Sequence, residues 1–316
     1  MHLLSSCLAL ATLARGASAG SSTTTCGGRE VAPTSSSKLV YNRVSKAGSD
    51  ALVNVLRAVS ATRKRRRASA MVVHQAPHPY MPNASAMARD IARLPPGSVY
   101  VNHAGMVRGD ESLAWMNMVR EPLDRLASDF YYAVDVGLRG ARAEAELEAR
   151  RADPRCGCFA LEFDDCVRTM AENGCDFDAR WPLRATQLTY FCPARDADVT
   201  DAAARERCTA DLAAARVRSR YAFVGLVDEF ALSVDALEAL LPEYFGGAAA
   251  IAPSIPHHPT EIKNPATNTS ENGAISSIAR RAFKGHWSYY EDEAAFYEAT
   301  KRLFWCKVGA LGLIRD

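Results

Sequence analysis

The stretch Leu39 to Ser60 constrains this chain more than any other. Leu39-Val40-Tyr41 is a short apolar run that suits a buried strand. Ser45-Lys46-Ala47-Gly48-Ser49 is a turn of small residues around one lysine. Leu52, Val55, Leu56 and Val59 then recur at i, i+3, i+4 and i+7, the apolar face of a helix. Strand, tight turn and helix together make an anion site, because N–H groups at the helix start point outward and the helix dipole favours negative charge there. Lys46 adds a full charge, and Gly48 lets the backbone come close to a bound group. The triphosphate loop G-x-x-x-x-G-K-[ST] is absent, since no glycine precedes Lys46 at the required distance, which disfavours a nucleotide kinase. An ordinary strand–helix corner with a surface lysine fits the same residues.

The rest of the chain repeats this alternation of strand and helix. Ala70 to His74, Val99-Tyr100-Val101, Trp115 to Val119 and Tyr221 to Val227 read as further strands. Helices are expected near Ala86 to Leu94, after Pro122 with Leu123, Leu126, Ala127 and Phe130 on one face, through Phe230 to Leu241, and from Glu291 to Lys307. The Arg/Ala/Glu-rich stretch Gly140 to Arg155 reads as an exposed helix, and Gly246 to Ser277 as loop. Strands alternating with helices predict an α/β fold with a P-loop-like central parallel sheet flanked by helices, and ligands at the carboxyl ends of the strands. Lys46, His103 and Arg120 all fall just past such ends.

A chain of 316 residues has room for one large domain or two small ones. The net charge of +2 does not suggest a nucleic-acid binder. The run Arg63-Lys64-Arg65-Arg66-Arg67 fits a polyanion contact, a solvated helix end or a processing site. Nine cysteines, six of them between Cys156 and Cys208, point to an oxidising compartment. Residues 1–20 fit this, with the apolar run LLSSCLALATLA and the small residues Ala17-Ser18-Ala19 of a signal peptide or short signal anchor. Residues 21–37 read as a Ser/Thr/Gly-rich linker and 38–316 as the catalytic domain. Asn83 and Asn268 begin glycosylation sequons.

Two segments carry a family resemblance. Tyr41-Asn42-Arg43-Val44-Ser45-Lys46-Ala47-Gly48-Ser49 resembles the YNRVPKTAS segment of the Golgi uronyl and heparan sulfate 2-O-sulfotransferases. The stretch Asn117 to Ser128 resembles that family's N-x-x-R-[DE]-P-x-x-R-x-x-S signature. Weaker likeness continues in consistent order from Lys38 to Leu311, through Gln187 to Cys192 among others. The resemblance implies a sulfotransferase fold. It also implies transfer of a sulfuryl group from PAPS (3′-phosphoadenosine 5′-phosphosulfate), without a metal, to a hydroxyl of a glycosaminoglycan-like polysaccharide, with 2-O-sulfation of a uronic acid as the first expectation. Lys46, Ala47, Gly48, Ser49 and Asp50 would cradle the 5′-phosphosulfate, with Lys46 as electrostatic catalyst. Arg120 and Ser128 would hold the 3′-phosphate, and Arg43 would meet an anionic group of the acceptor. His103 would be the catalytic base; histidine suits, with an ordinary pKa of about 6.5.

The resemblance also implies a disulfide loop between Cys166 and Cys175 and a second pair, Cys192 with Cys208. It gives no partner for Cys156 or Cys158. The expected setting is the Golgi lumen, either membrane-anchored or cleaved and soluble; a homo-oligomer is compatible, and no nucleic-acid partner is expected. Three departures stand out. Ser45 replaces a family proline, Asp50 replaces a threonine, and Val101-Asn102-His103 stands where heparan-type enzymes have His-x-His. They leave open a PAPS-dependent enzyme acting on another glycan or a small glycoside, or a noncatalytic glycan-binding protein on the same fold.

Overall fold

The structure, a computed structural model, describes residues 25–65, 71–75, 84–107, 112–135, 155–158, 162–177, 186–192, 208–255 and 275–314. The leader-like segment, Asn83, Asn268, Arg66, Arg67 and nearly all of the Arg/Ala/Glu-rich stretch lie outside the described residues. The strands are β1 (Thr25–Cys26), β2 (Arg29–Glu30), β3 (Lys38–Asn42), β4 (Val72–Gln75), β5 (Ser98–Asn102), β6 (Leu113–Val119) and β7 (Tyr221–Leu226). The first helices are α1 (Ser49–Arg65), α2 (Ala84–Arg93), α3 (Pro122–Asp135), α4 (Phe163–Glu172), α5 (Gln187–Phe191) and α6 (Ala210–Arg220). They are followed by α7 (Phe230–Leu240), α8 (Pro242–Phe245), α9 (Ala248–Ile251), α10 (Ser277–His286) and α11 (Tyr290–Ala310).

Strands β3 to β7 form one parallel sheet in the order β4-β5-β3-β6-β7. Strands β5 and β7 are buried along their whole length, and β3 and β6 along all but their first residue, which is why they read as unbroken apolar runs rather than alternating ones. Edge strand β4 is only partly covered. Helix α1 buries Leu52, Val53, Val55, Leu56 and Val59, the face its spacing predicts. The chain leaves β3 in the middle of the sheet, with later strands added on both sides. The carboxyl end of β3 is therefore the switch point where parallel α/β sheets open a ligand crevice.

A second, smaller core lies apart from the sheet. It gathers Leu123, Leu126 and Phe130 of α3 with Phe163, Val167 and Met170 of α4, Phe283 of α10, and Trp287. Two disulfides staple it, Cys156–Cys175 and Cys158–Cys166. This corrects the expected Cys166–Cys175 pair. Helix α4 carries the chain about 9 Å along its axis from Cys166 to its last residue, Glu172, beyond the roughly 7 Å limit between bridged Cα atoms. The helix instead ends in a turn at Gly174, whose φ is 62°. There Cys175 N–H donates to the Met170 carbonyl and Gly174 N–H to that of Ala171, a Schellman arrangement. The turn carries Cys175 back beside Cys156. Cys192 pairs with Cys208, the pair the resemblance implies.

Within the segment read as a linker, β1 and β2 form a hairpin turning on Gly27 and Gly28, both at positive φ. Cys26 is bonded to Cys306 of α11, 280 positions along the chain. The segment Gly246 to Ser277, read as loop, contains α9, a 3-10 turn over Ala252–Ser254 and the first residue of α10. Arg63 of the basic run donates to the carbonyl oxygens of Pro242 and Glu243 at α8, a structural role for one of its five charges.

Candidate active site

Three neighbouring strands deliver the site. Asn42 of β3 lies in register with Asn102 of β5, so the turn after β3 and His103 after β5 emerge side by side. Strand β6 flanks β3 on the other side and ends at Val119, next to Arg120.

Beneath the turn lies a buried polar network. Asn117 Oδ1 accepts from Val44 N–H at 3.2 Å, and its Nδ2 donates to the Asn42 carbonyl at 2.7 Å. Asn42 Nδ2 donates to the Ala104 and Tyr190 carbonyls and to the Tyr221 hydroxyl. Both amides are fully buried, and each bond ties β3 to another element. With Val44 and Ala47 also packed into the core, the turn has little freedom.

Lys46 is the one non-glycine residue among those described with positive φ, at 62°. A side chain in that region costs about 1 kcal/mol or more, and such strain concentrates at functional sites. Gly48 shares the conformation at 63°, and a Cβ there would stand 3.4 Å from Val227. Gly48 carbonyl accepts from Leu52 N–H, so the helix proper begins at Ser49, and the N–H groups of Ser49, Asp50 and Ala51 have no acceptor within the helix. Burial pulls the Lys46 ammonium down to a pKa of about 8; Asp129 and Asp50 push it back up, and Arg120 lowers it further. Asp129, one residue beyond Ser128, is thus a charge partner of the turn that no sequence motif marks.

Arg120 is anchored through its backbone. Gln187 of α5 accepts from Arg120 N–H at 2.9 Å and donates to its carbonyl at 2.8 Å. Gln187 is itself held by Glu293 of α11, which also accepts from Leu188 N–H and faces the fully buried Arg125 at 3.9 Å. The Arg120 guanidinium has a buried Nε without a hydrogen-bond partner, and no carboxylate lies within salt-bridge distance of it among the described residues. Burial lowers its pKa, while Asp124, Asp228 and Glu121 oppose the shift. A largely desolvated arginine with an open Nε donor fits an oxyanion of the phosphate type. Ser128 stands half-buried two turns into α3.

His103 Nδ1 lies 3.0 Å from the Arg43 carbonyl. A carbonyl only accepts, so Nδ1 carries the hydrogen and Nε2 is the basic nitrogen of the neutral ring. The Arg43 side chain turns the other way, onto Asp50 in the first turn of α1, at 2.8 Å. Thus Arg43, Lys46, Asp50, His103 and Arg120 lie together at the carboxyl ends of the central strands. The supports beneath them come from Tyr190, Gln187 and Glu293. The first two sit in the weakly matching stretch Gln187 to Cys192; Glu293, 106 positions beyond Gln187, gave no signal.

Among the described residues no group of three His, Cys, Asp or Glu side chains is placed to hold a metal, and no helix is long and apolar enough to cross a membrane.

A parallel α/β sheet with a lysine-bearing turn at its central strand and a part-buried arginine beside it is the kind of arrangement that suits an anionic ligand. No protein-family model matches the chain. It is similar to "Heparan sulfate 2-O-sulfotransferase hst-2" of Caenorhabditis elegans, with 24% identity over 288 residues, 86% of this chain and 79% of that protein. It is also similar to "Heparin sulfate O-sulfotransferase" of Drosophila melanogaster, with 27% identity over 217 residues, 66% of this chain and 57% of that protein. Both similarities support the resemblance to carbohydrate sulfotransferases carried by the Lys46 turn and the Arg120 segment.

Proposed function

We propose that this protein transfers a sulfuryl group from PAPS to a hydroxyl of a glycosaminoglycan-like polysaccharide, with the 2-position of a uronic acid as the first expected target. The carrying observation is the convergence at the carboxyl ends of the central strands of a strained, partly desolvated Lys46, a part-buried Arg120 with an open Nε donor, and a His103 whose Nδ1 is held by a backbone carbonyl. Sulfotransferase relatives and four disulfides, which suit the secretory pathway, support the reading and a Golgi-lumen setting, whether anchored or soluble.

The residues fit the donor. The N–H groups at the start of α1 and the Lys46 ammonium would hold the 5′ end, and the Arg120 guanidinium, with its unpartnered Nε, together with Ser128 the 3′-phosphate. PAPS, when bound, supplies a sulfuryl group on a phosphate leaving group. His103 takes the acceptor proton on Nε2, which makes the hydroxyl oxygen a competent nucleophile. Lys46 and the helix N–H groups neutralise negative charge as it builds on the leaving oxygen, from positions set before reaction and shielded from water. Asn117 and Asn42 keep the turn from yielding as that charge develops.

A second reading, the same reaction on a different glycan or a small glycoside, is favoured by one observation. Val101, where heparan-type relatives carry a second histidine, is fully buried within β5. The test is incubation of the purified protein with radiolabelled PAPS and desulfated heparan, chondroitin, dermatan and algal polysaccharides. Label in a uronate-containing glycan is the expected result, and label in a uronate-free one selects the second reading. No label anywhere together with no PAP binding overturns the assignment.

A further inference from the structure

The family proline at the fifth position of the YNRVPK-type segment is Ser45 here, and its hydroxyl is used. Ser45 Oγ lies 3.3 Å from His103 Nδ1 and 2.9 Å from the buried Tyr190 hydroxyl. The Tyr190 ring itself meets the imidazole edge-on at 6.5 Å between centroids. The Arg43 carbonyl takes the same Nδ1 hydrogen at 3.0 Å, so Ser45 Oγ receives the second branch of a shared bond, and the Ser45 and Tyr190 hydroxyls share a hydrogen bond in which either can donate.

We propose that Ser45 and Tyr190 are positioning residues for His103, a hydroxyl pair that fixes the imidazole's orientation and stabilises its cationic form. A proline at position 45 has neither the oxygen nor the reach, so this chain carries a support for its base that the family pattern lacks. The physical role resembles that of the carboxylate behind a catalytic histidine, with weaker neutral oxygens in its place. When Nε2 gains a proton, the ring's positive charge is shared through Nδ1–H with the Arg43 carbonyl and Ser45 Oγ. The hydrogen bond with Tyr190 fixes the Ser45 hydroxyl so that its oxygen stays turned toward Nδ1.

The inference rests on the proposed role of His103, and its test separates the two. Charged and titratable groups around this corner are Arg43 and Lys46 from the turn, Asp50 from α1, Tyr190 from α5, and Asp129 and Arg120 near Lys46. Ser45→Ala leaves all of them in place. The first measurement is an NMR pH titration of the His103 ring, which needs no turnover. Ser45→Ala and Tyr190→Phe are each expected to move the His103 midpoint to lower pH, by about half a unit or more. The second is the pH–rate profile with labelled PAPS. There Ser45→Ala should lower kcat about tenfold with the KM for PAPS unchanged, and should shift the acidic limb to lower pH. Ser45→Thr, which keeps the hydroxyl, should restore both. A midpoint that does not move in either variant overturns the pair's role, whatever the enzyme's activity. Midpoints that move in both variants, with no turnover in the wild-type protein, would sink the catalytic assignment of His103 and leave the hydroxyl pair standing.

Discussion

The sheet core and the small core beside it are stabilised by different means. The sheet interior is built from long apolar strands whose partners lie far apart in sequence; buried amides lock its catalytic edge. The small core is assembled from short helices and aromatic contacts between them, such as Phe163 stacked on Phe283, and two disulfides span it within twenty residues. Small apolar clusters bury too little surface to hold themselves, so covalent closure does there what burial does in the sheet. The candidate site therefore sits on the larger core, which carries the other two disulfides, Cys26–Cys306 and Cys192–Cys208, and the small stapled core supports it from the side. Arg125 of α3 and Glu293 of α11 form a buried ionic link at the join.

The comparison breaks most readily at the catalytic edge. His103→Ala should lower turnover about 10³-fold while leaving PAP affinity and melting temperature near wild type. Lost PAP binding in that variant would mean that the histidine supports the turn rather than the reaction. Lys46→Ala should cost about 10²-fold or more in kcat and weaken PAP binding as well; unchanged affinity in a titration would remove its assigned place.

Next comes the join. Glu293→Gln should destabilise the fold by about 3 kcal/mol or more, because it removes one charge of a buried pair and leaves the cost of burying the other. A denaturant midpoint equal to wild type would show that the two cores do not depend on this pair. Paired Cys158→Ser and Cys166→Ser substitutions should cost about 2 kcal/mol and should speed hydrogen exchange in α4 and α10 before any change in β3. Uniform loosening of the sheet would refute the division into two regions.

Smaller effects sharpen the site itself. Lys46 is mostly charged at neutral pH and loses its proton as pH rises through about 8. PAP affinity measured by calorimetry should therefore fall between about pH 7 and pH 9, and the fall should vanish in Lys46→Arg. Asp50→Asn, which frees the Arg43 guanidinium from its partner, should change acceptor KM about threefold with little change in PAP binding, within the ordinary range for an exposed pair. An effect confined to PAP would place Arg43 on the donor side.

Legibility followed the same division. Strands β3, β5, β6 and β7 were readable because parallel strands covered on both faces write continuous apolar runs, and the turn with Lys46, His103 and Arg120 was readable because each follows such a run. Helix α4 was harder to see. Phe163, Cys166, Val167 and Met170 keep the i, i+3, i+4, i+7 spacing, but only if the cysteine counts as a core residue instead of as a disulfide half alone. The expected Cys166–Cys175 pair failed for the same reason, since a helix between two cysteines holds them apart. Glu293 was beyond reach because its partners depend on how distant segments pack, which no local spacing encodes; Tyr190 lay in a weakly matching stretch that gave its place but not its contact with Ser45.

The bond between Cys26 and Cys306 gives the molecule a mechanical property. Tension applied to the residues before Cys26 passes through the disulfide into α11 and bypasses β3, which begins twelve positions after Cys26. A protein tugged at that end, by a tether or by a polymer under flow, would transmit the force to its final helix and leave the strand that carries the lysine turn slack.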